Sequence, residues 1–202
     1  MATTPQFDTS RELIQGLIDL TRETESKSMD DEHSDNEFFQ VNMNLFVKSY
    51  MVLMCAYLES YLKSLSKCYI DRVEESLTSA TYPKNLLRWS VLKDKYKHNN
   101  DGAQDLFSLG ITDEDIDKNL SANPHKTAPF FVRLGIHLES IDEYMAIKEQ
   151  VEMIVNKRNN IVHYNDDASD TGPRDVVANA DLLIDYMKIL DAQVLNNLNN
   201  FN

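Results

Sequence analysis

Residues 45–65 read LFVKSYMVLMCAYLESYLKSL, and this stretch decides the fold. Its apolar side chains fall on almost every side of a helical wheel, and a helix that is apolar all round is covered by neighbours on several faces. We therefore predict that the stretch is the middle of a long helix, over residues 38–77, at the centre of an all-α bundle. The chain has only 5 Gly and 5 Pro, whereas all-β folds need more of both for their tight turns.

One carboxylate, that of Glu59, lies inside this apolar helix among Ala56, Tyr57, Leu58 and Tyr61. A carboxylate in such surroundings must be paired, protonated or placed at an edge. Two interpretations stay open. The side chain reaches the rim or a neighbouring Lys, or it orients a site residue on another helix.

The remaining apolar patterns predict further helices around this one. An amphipathic helix over residues 8–21 precedes an acidic segment, residues 22–37, which is typical of a solvated linker or a frayed helix end. We assign residues 1–37 to an N-terminal helix and linker and residues 38–202 to the bundle, within a single globular domain. The other predicted helices cover residues 83–97, 113–120, 130–138, 140–162 and 175–198.

Charge and cysteine content exclude several classes of function. The net charge is −13, from 33 acids against 20 bases, which argues against a protein that coats DNA or RNA through bulk electrostatics. The longest stretch without a polar or charged residue, residues 50–58, is about half of a membrane span, so we expect no membrane partner. Two cysteines in helical patterns and an N-terminus without a basic, apolar leader predict a cytoplasmic protein.

Familiar metal and cofactor sites are missing from the sequence. Cys55 and Cys68 have no His or Cys near them at zinc-ligand spacing. The acidic run over residues 113–117 is similar to a calcium loop, but Lys118 replaces the required Gly and Pro124 replaces the required Glu. The 5 glycines are scattered singly, which excludes a Gly-rich phosphate loop. We therefore expect neither a metal nor a cofactor.

One polar element interrupts the apolar pattern at the end of the predicted helix 140–162. It reads Arg158-Asn159-Asn160-Ile161-Val162-His163, in which Ile161 and Val162 are expected to face the core. Histidine exchanges protons near neutral pH, and the planar fork of arginine suits a charged phosphate transition state. Such a set could cleave RNA, which carries its own nucleophile in the 2′-hydroxyl and needs no metal. A fortuitous arrangement in a plain helical interaction protein is the alternative.

The residues of this element resemble the signature of the HEPN superfamily. Arg158-Asn159 followed by His163 at the end of a helix is similar to its Arg, polar residue and His motif, and the helix 47–65 is similar to its long apolar helix. The resemblance implies an all-α up-and-down bundle that forms a homodimer and acts as a metal-independent endoribonuclease. Arg158 would stabilise the phosphate, Asn159 would assist, and His163 would transfer protons.

Two residues depart from the superfamily pattern. Many relatives have Gly directly after the His, where this chain has Tyr164. In one toxin group a Tyr two positions after the His is modified by the antitoxin, and here Asn165 occupies that position. We keep Tyr164 and Glu59 as candidate supporting residues.

The resemblance leads us to expect a toxin or phage-defence effector that cleaves RNA. A cognate antitoxin or a companion defence protein is an expected partner. The alternative is a catalytically silent module that binds a partner protein or a nucleotide, and the high acidity favours it because two copies would repel RNA.

Overall fold

The computed structural model describes residues 2–30, 35–79, 83, 86, 89–90 and 108–199. Within these residues the chain forms six α-helices, one short 3-10 helix and no strand, so the predicted all-α class is confirmed. The α-helices are α1 (Pro5–Met29), α2 (Asn36–Ser79), α3 (Asp113–Asn119), α4 (Pro124–Arg133), α5 (Asp142–Tyr164) and α6 (Pro173–Asn199). The 3-10 helix, Leu138–Ser140, precedes α5.

Helix α2 is the central helix, as its sequence predicts. It packs against α1, α3, α5 and α6, which together cover its apolar surface. Its middle is deeply buried, and Met54, Cys55, Leu58, Tyr61 and Leu62 have no exposed surface. The apolar residues of this stretch therefore face four different helices, which is why they follow no single stripe.

The same helix is the one described element that is long and apolar enough to cross a bilayer. One 18-residue window of α2 has a mean hydropathy of 1.2, and 33% of it is buried inside the fold. Core helices of bundles pass the same test, and α2 packs as such a helix. Its hydropathy is therefore weak evidence for a membrane span.

Helix α1 is longer than the sequence predicts and belongs to the same core. It continues to Met29, so the first half of the predicted linker is helical. Ile14 and Ile18 pack inward, whereas Leu13 and Leu20 of the predicted stripe are about half exposed. Beyond the stripe, the Thr24 hydroxyl bonds the hydroxyl of Tyr50 on α2 at 2.8 Å, which ties the end of α1 to the central helix.

Helices α5 and α6 confirm the predicted amphipathic pattern. Relative to the predicted bounds, α5 begins and ends two residues later, whereas α6 begins two residues earlier and ends one residue later. On α6 the predicted stripe is fully buried, namely Val176, Ala180, Leu183, Met187, Leu190 and Val194. Helix α5 ends at Tyr164. The next residue, Asn165, adopts a left-handed conformation (φ 53°), and the amide of Asp166 donates to the Asn160 carbonyl oxygen at 3.2 Å. A left-handed residue after the last turn is a common way for a helix to end, and here it places the last turn of α5 at the polar element 158–163.

The short helices are set by local capping. Thr112 and Asp115 form the reciprocal capping box that their spacing predicts, and α3 follows. Helix α4 begins at Pro124, capped by Asn123, several residues before the predicted start at 130. The predicted helix 83–97 lies mostly outside the described residues. Two of its apolar residues that are described are exposed, at 53% for Leu86 and 59% for Trp89.

Candidate active site

Arg158 on α5 is held by two side chains. Its Nη2 donates to Oε2 of Glu59 on α2 at 3.3 Å, across 99 positions of sequence. Its Nη1 donates to Oδ1 of the adjacent Asn159 at 3.0 Å. The Arg158 and Glu59 side chains are 22% and 30% exposed, and a hydrogen bond between charged groups contributes about 1.5–3 kcal/mol in such settings. The guanidinium is thus fixed at both Nη atoms, each of which keeps a second hydrogen for another acceptor.

The position of Glu59 answers the question that the sequence leaves open. It contacts both a lysine on its own helix and the motif arginine on another helix. Its Oε1 lies 3.5 Å from Nζ of Lys63, one turn further along α2, while Oε2 binds Arg158. Glu59 therefore makes both contacts, one through each carboxylate oxygen.

Lys63 continues this chain of charges to a third helix. Its Nζ lies 2.9 Å from Oδ1 of Asp117 on α3, and that hydrogen bond is the main reason why the pKa of Lys63 is raised. Four alternating charges therefore link α5, α2 and α3 in the order Arg158, Glu59, Lys63, Asp117. Lys63 and Asp117 are residues that the sequence argument missed. The i, i+4 spacing of Glu59 and Lys63 was a usable signal, but nothing in sequence points from Lys63 to Asp117.

His163 lies on the last turn of α5 with its imidazole exposed. No hydrogen bond or ion pair joins it to any side chain in the described part of the chain, and none joins it to Arg158. Positions 158 and 163 differ by about 140° around the helix axis, so the two side chains leave α5 in different directions. Within one protomer Arg158 and His163 thus lie on the same stretch of α5, on different sides of the helix and without direct contact.

The residues around His163 are more exposed than the sequence predicts. Val162, expected in the core, is 51% exposed, while Ile161 is partly buried against the core. Tyr164 is 80% exposed and contacts neither Arg158 nor Glu59 through a hydrogen bond. The prediction for Val162 is wrong because consecutive helical residues differ by about 100° around the axis, so Val162 points away from the core that Ile161 contacts. The candidate supporting residues therefore separate, with Glu59 at the arginine and Tyr164 beside the histidine.

A loop fastened to α5 supports the end of the motif helix. Nζ of Lys157 lies 3.1 Å from Oδ1 of Asp166 and 2.5 Å from Oδ1 of Asp170. The hydrogen bond from Lys157 also lowers the pKa of Asp170. The Asn44 side chain on α2 donates to the backbone carbonyl of Asp167 in the same loop. These contacts close the loop against the helix that carries the motif.

Beneath the ion pair lies a thiol, Cys55, one turn before Glu59 on α2. It is fully buried, and burial raises its pKa to about 12 against the weaker opposing effect of the Arg158 charge. A thiol in this state is neutral at physiological pH and is not a nucleophile. The sequence interpretation of Cys55 as a structural cysteine agrees with this position.

The two histidines outside the motif that the structure describes have no comparable setting. The imidazole of His125, at the start of α4, lies 3.0 Å from the Glu152 carboxylate and its side chain is 64% exposed. His137 is exposed before the 3-10 helix. In the described residues no group of three or more His, Cys, Asp or Glu side chains is arranged to hold a metal ion.

Comparison with protein families places this arrangement in a known class. The family model described as RiboL-PSP-HEPN matches residues 18–196, which contain every helix of the bundle except the start of α1 and the end of α6. The chain belongs to the RiboL-PSP-HEPN family. No curated protein and no solved structure matches it. Membership confirms the predicted HEPN fold. By its family the protein is a HEPN-type nuclease or a related module.

Proposed function

We propose that this HEPN protein is a metal-independent endoribonuclease whose site is formed by Arg158, Asn159 and His163. The observation that carries the proposal is the two-point fixation of the Arg158 guanidinium by Glu59 and Asn159, with the exposed imidazole of His163 five residues further along the same helix. The partly buried carboxylate of Glu59 reaches Arg158 from another helix and holds its guanidinium in one place. Fixing a cation in advance is how electrostatic catalysis avoids reorganisation during the reaction.

The reaction follows from these groups and the chemistry of RNA. The ribose 2′-oxygen attacks the adjacent phosphorus while its proton passes to a base, and the bond from phosphorus to the 5′-oxygen breaks. The products are a 2′,3′-cyclic phosphate and a 5′-hydroxyl, which takes up a proton. His163 is the group that exchanges protons, and Arg158 pairs with the negative charge that grows on the phosphate oxygens. The Asn159 amide orients the guanidinium through its oxygen and keeps its NH2 group for the substrate.

A homodimer completes the site in this proposal. One protomer offers a single imidazole, whereas the reaction needs a group that accepts a proton and a group that donates one. An isologous interface at the C-terminal end of α5 would bring two copies of His163 together. The exposed Val162 and Tyr164, which flank His163, supply apolar surface there. We further propose a toxin or phage-defence role, with a cognate antitoxin or defence protein as partner.

The test is a cleavage assay on purified protein with three variants. Arg158→Lys keeps the charge but loses the fork geometry, so its rate should fall at least tenfold. His163→Ala should lose on the order of 100-fold, the usual size of a general acid–base contribution. The matched control is His125→Ala, another exposed histidine, which should cleave like the unaltered protein. Equal rates in all four proteins would mean that the activity arises elsewhere.

A second function, a catalytically silent module, is favoured by one observation. The net charge of −13 becomes −26 in a dimer, which repels a polyanion. In that case the Arg158–Glu59 pair is purely structural, and the protein binds a partner protein or nucleotide without cleaving RNA. Absence of cleavage over a broad set of RNAs, together with a stability loss in Arg158→Lys, would favour this function.

A further inference from the structure

A groove on the far side of α5 from Glu59 has no role in the proposed cleavage chemistry. It has a volume of about 500 Å³ and lies between α5 and α6, with Met51 of α2 at its base. Ile154 and Leu182 add to the apolar base, and Met153, 71% exposed, stands at the rim. Amide side chains dominate the polar lining, namely Gln150, Asn156, Asn160 and Asn179.

The amides that α5 contributes are not used by the protein itself. Within the described residues the side chains of Gln150, Asn156 and Asn160 make no hydrogen bond, and the Asn179 amide contacts only the Met51 sulfur, at 3.7 Å. An amide offers two donors and an acceptor on a short, planar group. The groove therefore combines an apolar base with several unused donors and acceptors, which is the usual composition of a site for a small organic ligand.

The charges of the groove exclude an anionic ligand inside it. Its one cation, Lys157, is already paired with Asp166 and Asp170. The two carboxylates of the lining, Asp170 and Asp175, are engaged too, the second by the backbone N–H of Gly172 at 2.8 Å. A phosphate would meet no unpaired cation there and would face two carboxylates. A neutral, flat molecule with donors and acceptors on its edge fits this lining.

Two amides of the groove, those of Asn156 and Asn160, lie on the same face of α5 as the imidazole of His163. Positions 156, 160 and 163 fall within about 60° of one another on the helical wheel. Asn160 is three residues before His163, so their Cβ atoms lie about 5–6 Å apart, and Asn156 lies about 10 Å from His163 along the helix axis. This span is comparable to one or two nucleotides of single-stranded RNA. A strand whose phosphate lies at His163 would bring a neighbouring base to the groove.

We propose that this groove is a nucleobase-binding subsite, which rests on and deepens the proposed ribonuclease function. One base of the RNA enters between α5 and α6, packs on the apolar base and the Met153 thioether, and offers its edge to Asn156 and Asn160. Asn and Gln side chains are well matched to base edges because they donate and accept on one plane. The groove thereby selects which phosphodiester bond reaches His163.

Binding is tested without any dependence on cleavage, by titrating the four neutral ribonucleosides into protein with 13C-labelled methionine methyl groups. The methyl resonances of Met51 and Met153 should shift in a saturable manner, with one base binding at least several-fold more tightly than the others. Met29 and Met145, exposed outside the groove, are internal controls and should not move. Uniform or absent shifts at Met51 and Met153 would overturn the proposal.

A variant pair assigns the effect to the amides. Asn156→Ala combined with Asn160→Ala should weaken nucleoside binding at least tenfold, whereas Asn196→Ala, an exposed amide on α6, should leave it unchanged. Thermal unfolding checks that the double variant is folded. In cleavage assays on oligonucleotides that differ at one base, the double variant should lose the base preference. If nucleosides bind but no RNA is cleaved, the ribonuclease proposal is rejected and the proposal of a base-binding subsite stands. Cleavage whose base preference the double variant retains would reject the subsite alone.

Discussion

The substitution Glu59→Gln tests whether the carboxylate positions the motif arginine. Gln keeps the shape and one acceptor oxygen, which can still accept from Arg158. The charge is lost, and the new NH2 group faces the Lys63 ammonium, which lies 3.5 Å from Oε1 in the native protein. Both ionic contacts of Glu59 are therefore weakened by one isosteric change.

The magnitude follows from the geometry of the pair. Two unit charges 3.3 Å apart interact by about 5 kcal/mol at an effective dielectric constant of about 20, before desolvation is subtracted. Because both side chains are less than one third exposed and one acceptor remains, we expect a net loss of about 1–2 kcal/mol of unfolding free energy. For a chain of this size that corresponds to a fall in Tm of about 2–8 °C.

The functional effect should exceed the effect on stability. A displacement of about 1 Å in a positioning group can cost about 100-fold in rate, so kcat for RNA cleavage should fall about 10- to 100-fold with a smaller change in KM. The matched control is Glu75→Gln, whose partner Arg72 lies 2.7 Å away in an exposed pair on the same helix. Such pairs contribute about 0–1 kcal/mol, so the control should change neither Tm nor kcat appreciably.

Two results would refute the reasoning about Glu59. A kcat within twofold of the unaltered protein would show that Arg158 does not depend on Glu59 for its position. A higher kcat would show that Glu59 withholds the guanidinium from the phosphate instead of presenting it.

Three further outcomes are expected. Ile161→Asp should lower the free energy of unfolding, measured by urea titration, by about 1–3 kcal/mol, because a charge enters a partly buried apolar contact. An unchanged urea midpoint would place Ile161 outside the core. In native protein at pH 8, iodoacetamide should modify Cys68 before Cys55. Cys68 is partly exposed, whereas burial raises the pKa of Cys55 to about 12. Mass spectrometry of peptides measures the order of modification. The carboxyl of Asp170 should titrate by NMR below its ordinary pKa of 3.8, because the hydrogen bond from Lys157 lowers that pKa. The contact therefore stabilises the fold above pH 3.8, and this stabilisation is lost as the pH falls through the lowered pKa. A titration midpoint at or above 3.8 would contradict the contact.

The parts of the fold that periodicity determines could be predicted from the sequence. The all-round apolar character of residues 45–65 predicts a central helix, and the stripe from Val176 to Val194 predicts the buried face of α6. Both follow from one helix at a time, which is what a sequence pattern records. The start of α4 was missed because the cap of Asn123 and Pro124 at the first turn decided it, not the apolar pattern.

The candidate site was predictable only along a single helix. Arg158, Asn159 and His163 are neighbours in sequence, so their shared helix end could be predicted. The contact of Arg158 with Glu59 crosses 99 positions and was one of two open interpretations. The link from Lys63 to Asp117 depends on how α3 packs against α2, and no local pattern encodes that packing. Which of Ile161 and Val162 is covered likewise depends on the side of α5 against which other helices pack.

The most direct test of metal-independent cleavage through the 2′-hydroxyl uses one RNA in the presence of EDTA. The bond that the protein cleaves is first mapped, and the same oligonucleotide is then made with a single 2′-deoxy nucleotide on the 5′ side of that bond. We predict that EDTA leaves the rate unchanged, that the product carries a 2′,3′-cyclic phosphate and a 5′-hydroxyl, and that the deoxy substitution abolishes cleavage at that bond. Cleavage that requires magnesium, or that proceeds equally well without the 2′-hydroxyl, would contradict the account.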